Sequence, residues 1–137
     1  MKTHFDLSDR EFELLFKNGR LDPAIFNHEA HLRLAWIHIN KYGCKTAADN
    51  INRQLLIYVT RLGARDKYNK TLTTASVKAV NHFMKKSEAD NFRGFISDFP
   101  RLTTDFRELL RSHYKTDIFN SEKAKKIYLE PELLPFE

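Results

Sequence analysis

Apolar residues recur every three to four positions along most of the chain, and the period-two alternation of a half-buried strand is rare. The stretch "LSDREFELLFKNG" opens with Ser8 and carries Glu11 three residues later, a capping box, and Gly19 stops it. A second helix is predicted over 27–42, capped by Asn27 and ended by Gly43. A third covers about 46–63, with Ala47, Ile51, Leu55, Tyr58, Val59 and Leu62 on one stripe. A fourth covers about 72–86, with Val77, Val80, Phe83 and Met84 towards the core. A shorter helix over 89–99 ends before Pro100, and Thr103 or Thr104 is placed to cap a sixth in "LTTDFRELLRSHY". A last helix is read over 121–129. Pro131 and Pro135 keep the tail extended, with Leu133, Leu134 and Phe136 to pin it. The pattern predicts one all-α domain over 1–137, a compact bundle of six or seven helices.

The second helix differs from the others. In "HEAHLRLAWIHINKY", His28, Leu32, Ala35, Trp36 and Ile39 share a broad face, and His31, His38 and Tyr42 lie along its edge. Ala30, Leu34 and Ile37 cover much of the other side, which leaves Glu29, Arg33 and Asn40 as a narrow polar strip. A helix apolar around most of its circumference is a buried one, so this histidine-bearing helix is expected at the centre of the bundle. Glu29 and Arg33 are spaced for a surface ion pair.

Imidazoles on such a helix need partners. One histidine there reads most simply as a satisfied core residue. Two at i, i+3 reach towards one point, which also suits a divalent metal held by neutral imidazole. The spacing H-x-x-H lacks the glutamate of the zinc-peptidase motif, and a metal needs a third donor. His82, His113, Asp66, Asp117 and Glu122 are available by residue type, and the sequence does not place them.

Composition narrows the alternatives. Hydrophobic residues make up 42% and charged residues 30%, as in a globular chain, and four glycines leave no material for a Gly-rich nucleotide loop. Cys44 is the single cysteine, so no intrachain disulfide forms. The N-terminal stretch has no apolar leader segment and no run approaches the roughly 18 residues of a membrane span, which leads to a cytoplasmic expectation with no membrane partner. The charge of +5 favours anionic partners, but 18 acidic residues are scattered among 23 basic ones. A basic interaction or nucleic-acid-binding module is therefore the weaker reading.

A second constellation lies in "DKYNKTLTTAS". Lys67 and Lys70 flank Tyr68 and Asn69, and Thr71, Thr73 and Thr74 follow at a helix start. Free N–H groups there, with lysines and hydroxyls, suit a phosphate, sulfate or carboxylate. The plainer reading is helix capping.

The pairing of "FNHEAHLRLAW" with "KYNKTLT" resembles a family of small bacterial all-helical proteins that carry an H-x-x-H-x-R-L-A segment and a downstream K-Y-[HN]-x-T-x-T segment. No activity is attached to that family. The resemblance spans about the first two-thirds of the chain. It implies a shared fold and a shared site at His28, His31, Arg33, Tyr68, Asn69 and Thr71. Asn69 stands where many relatives carry histidine, and an amide is a poor transition-metal ligand, which favours a hydrogen-bonding pocket.

The expectation is thus a small-molecule site for an anionic or polar ligand. His28 and His31 bind it or exchange protons with it, Tyr68, Asn69 and Thr71 orient it, and Arg33 or Lys70 supplies charge. The alternative is a metal-dependent hydrolase or oxygenase with His28 and His31 as ligands of a divalent metal.

Overall fold

A computed structural model describes residues 3–136. It is all-helical, with no strand among the described residues. The helices are α1 (Asp9–Lys17), α2 (His28–Tyr42), α3 (Cys44–Arg61), α4 (Lys70–Met84), α5 (Phe92–Asp98), α6 (Arg101–Thr104), α7 (Phe106–Arg111) and α8 (Glu122–Lys126). Among the described residues, a 3-10 turn at His4–Asp6 precedes α1, and two more, Pro23–Ile25 and Arg65–Lys67, lie between α1 and α2 and between α3 and α4. The chain divides into two compact units, Met1–Tyr68 and Asn69–Glu137. No helix among the described residues is long and apolar enough to cross a membrane.

The first unit is built on α2. Ala30 and every residue from Leu32 to Ile39 are buried, as the nearly continuous apolar surface of this helix requires. Burial of each large side chain there contributes about 1.5–3 kcal/mol, more than the few tenths by which histidine and isoleucine disfavour a helix. Gly43 alone separates α2 from α3, at φ +85°, a left-handed value that favours glycine. The two helices run back along each other: the Tyr58 ring in the last turn of α3 meets Phe26, just before α2, at 5.3 Å. Helix α1 starts at the Ser8–Glu11 capping box and buries Phe12 and Phe16. Tyr58 donates to the Leu21 carbonyl at 2.8 Å, tying the loop after α1 to α3.

The second unit gathers Ala75 and Ala79 of α4, Leu110 of α7, Tyr114, Ile118 and Ala124 of α8 into one core. Phe83, Phe95 and Phe99 form a separate run of ring contacts at 5.1–5.7 Å. The tail is held mainly by its backbone. The Leu133 N–H donates to the His113 carbonyl, His113 Nδ1 meets the Leu134 carbonyl at 2.8 Å, and Tyr114 donates to the Leu129 carbonyl. Of the three side chains expected to pin it, only Phe136 does so, stacked on His113 at 4.0 Å. Leu133 and Leu134 are exposed.

Two helix boundaries depart from expectation. The sixth helix is two, α6 and α7, because Asp105 takes a non-helical φ of −146°. The Thr103 and Thr104 hydroxyls do not cap it but donate back to the Pro100 carbonyl at 3.0 Å. The last helix ends at Lys126, since Ile127 is extended and its carbonyl is used elsewhere.

Candidate functional site

His28 and His31 open α2. Asn27 caps the helix, its side-chain oxygen accepting from the Ala30 N–H at 2.8 Å, so His28 is the first helical residue and His31 the fourth. Phe26 precedes the cap. Its ring and the His31 imidazole stack at 3.9 Å and 17°. This is the geometry of a hydrophobic staple, in which the residue before the cap packs on the fourth residue of the helix. His31 therefore helps fix the start of α2. The signal stood in the sequence as an aromatic residue directly before Asn27.

Both imidazoles are exposed. Enough protein nonetheless surrounds His31 that its charged form is poorly solvated. Burial, with a smaller contribution from His28, pushes it down to about 4. At neutral pH it is an uncharged ring with one N–H and one acceptor nitrogen. A histidine imidazole titration followed by NMR should show His31 neutral until the solution falls to about pH 4. Protonation near 6.5 would contradict this.

Arg33 is placed quite differently from the expected surface ion pair. It is 5% exposed and points to the N-terminal turn. Nη1 donates to the His4 carbonyl, Nη2 to the Leu7 carbonyl at 2.8 Å, and Nε and Nη2 both donate to Asp9 Oδ1. Nη1 also lies 3.3 Å from His4 Nδ1. An arginine only donates, so His4 Nδ1 accepts and its Nε2–H donates to Glu29 Oε1 at 2.8 Å. Glu29 thus pairs with His4 rather than with Arg33. The Arg33 guanidinium also sits 5.0 Å over the Phe12 ring.

The downstream candidates are likewise engaged within their own units. Tyr68 donates to Asn52 Oδ1 on α3 at 2.6 Å. Asn69 caps α4 by accepting from the Leu72 N–H, and its amide donates to the Ile118 carbonyl at 2.7 Å. Thr71 donates to the Ile127 carbonyl and accepts from the Leu129 N–H, at 2.7 and 3.0 Å. Lys70 is exposed at the start of α4. Capping therefore accounts for Asn69, the residue the resemblance singled out.

Among the described residues, no group of three or more His, Cys, Asp or Glu side chains is placed to hold a metal ion. Fold and site together define an all-helical protein with two adjacent exposed imidazoles at the start of a buried helix. Set against protein-family models, curated proteins and solved structures, the chain has no significant match. The family resemblance rests on its two motifs alone.

Proposed function

We propose that the first unit binds a small polar or anionic ligand at the first turn of α2, with His28 and His31 as its contact groups. The observation that carries this reading is the pair of exposed imidazoles on one turn, one of them fixed by its stack on Phe26. A ring fixed before the ligand arrives loses little freedom on binding. The positive end of α2 lies beside both rings and favours a partial negative charge. A neutral His31 offers one N–H and one acceptor nitrogen at neutral pH. A ring protonated only near pH 4 is a weak general base, so its lowered proton affinity supports a binding role over proton exchange near pH 7. Arg33, Tyr68, Asn69 and Thr71 hold the fold and leave the contacts to the two histidines.

The test is an NMR titration with inorganic phosphate and with a short dicarboxylate at pH 7. Shifts are expected in the His28 and His31 imidazoles and in the first-turn amides of α2. The variant His28→Ala with His31→Phe keeps a ring on Phe26 and removes the nitrogens. It should retain its helical circular dichroism and lose the response. An equal response in the variant, or none in the natural protein at millimolar concentrations, would overturn the reading. Zinc added in the same experiment checks the metal-dependent alternative, which requires broadening or shifts at both rings.

A further inference from the structure

His38 lies two turns along α2 from His31 and is fully buried, at 0% exposure. Neither Nδ1 nor Nε2 has a hydrogen-bond partner. A neutral imidazole always carries one N–H, so a buried donor and a buried acceptor are both unmet, and each costs the folded state its desolvation. Most buried polar groups in folded proteins are paired, so an orphan of this kind needs a reason.

The surroundings suggest one. Tyr42 packs against the imidazole, ring centroids 5.3 Å apart. Tyr42 donates to Glu13 Oε2 at 2.7 Å, and Lys41 Nζ donates to Glu13 Oε1 at 3.0 Å. This bridge joins α1 to the end of α2, one turn beyond His38. From α1 the charged group acting on His38 is Glu13, and from α2 itself it is Lys41. In the first turns of α3, Ala47, Ala48 and Ile51 are buried. The titratable residues there are Cys44, half-buried, and Lys45 and Asp49, both exposed. Of these, Glu13 is the anion whose charge acts on His38, and both of its oxygens are already taken.

We propose that His38 is an acid-triggered release for α1. Neutral, it completes the packing of α2. Protonated, it must leave the core or take Glu13 from Tyr42 and Lys41, and either event loosens α1 from α2. Burial holds the imidazole below its usual range, with Lys41 adding to this and Glu13 opposing it. The sign follows. The unfolded chain binds the proton more readily than the folded one, so stability is full above about pH 6.5 and is lost as the pH falls below it. Each group held neutral in this way lowers the folding equilibrium constant by up to about tenfold per pH unit. His31 adds the same dependence, so the contribution of His38 has to be read as a difference.

The experiment is urea unfolding of the full chain between pH 7.5 and 5, compared with His38→Phe. The natural protein should show a slope of log K against pH steeper by up to one proton than the variant, because the variant lacks the His38 contribution and keeps the others, His31 among them. An unchanged slope overturns the proposal, whatever the variant's stability at pH 7. Should His38→Phe fail to fold, the natural protein decides the question through its imidazole NMR signals and amide exchange. His38 neutral at pH 6, with α1 amides losing protection as the pH falls further, supports the release. His38 titrating near 6.5, or α1 equally protected at pH 7 and 5, overturns it.

Discussion

Arg33→Ala is expected to destabilise the first unit by about 3–5 kcal/mol, as removal of one partner from a buried charged network does. The substitution deletes the donors to the His4 and Leu7 carbonyls and to Asp9, and it removes the Nη1 contact with His4 Nδ1. Arg33→Lys should recover only part of the loss, because three donors on one nitrogen cannot reproduce the contacts that Nε, Nη1 and Nη2 make from separate positions. Asp9→Ala should cost about 1 kcal/mol, since the Asp9 side chain is 53% exposed and its ion pair is partly screened. Trp36, the single tryptophan, is buried in α2, so its fluorescence during urea unfolding reports on this unit. A loss below about 1 kcal/mol for Arg33→Ala would mean that the N-terminal turn is not held from α2, and Arg33 would return as a candidate ligand contact.

Asn69→Ala is the second large effect, about 2–4 kcal/mol in the second unit. The cap on α4 is worth about 1 kcal/mol, and the Ile118 carbonyl, left unpaired in a buried place, accounts for the rest. Asn69→Asp separates the two. It keeps an oxygen for the Leu72 N–H and has no donor for Ile118, so it should recover the cap alone. Hydrogen exchange of the α4 amides measures both. Equal losses in the two variants would show that the cap contributes nothing.

The helical class and the central place of α2 were legible because burial writes itself as periodicity. Nine buried residues in fifteen leave little room for another reading. The caps at Ser8 and Asn27 were legible because capping is local. The roles of Arg33, Asn69 and Thr71 were not, because their partners lie 24–29, 49 and 56–58 residues away. No short-range pattern distinguishes a side chain that binds a ligand from one that binds a distant carbonyl. Both need a polar group in an apolar setting. The histidines show the same limit in reverse. The wheel put His31 and His38 on one edge of α2, and the fold exposes the first and encloses the second.

The one-residue joint at Gly43 has a consequence for the order in which the chain is made. Joining α2 to α3 closes a very short loop, so that hairpin loses little chain entropy and can form as soon as both helices leave the ribosome. The second unit cannot close so early. Thr71 lies in the first turn of α4, yet it waits for the backbone of Ile127 and Leu129, more than fifty residues later. During synthesis the first unit therefore has its partners at hand while α4 stands with its first turn unclasped. Chaperones or proteases that act on the nascent chain would find the second unit open for longer than the first.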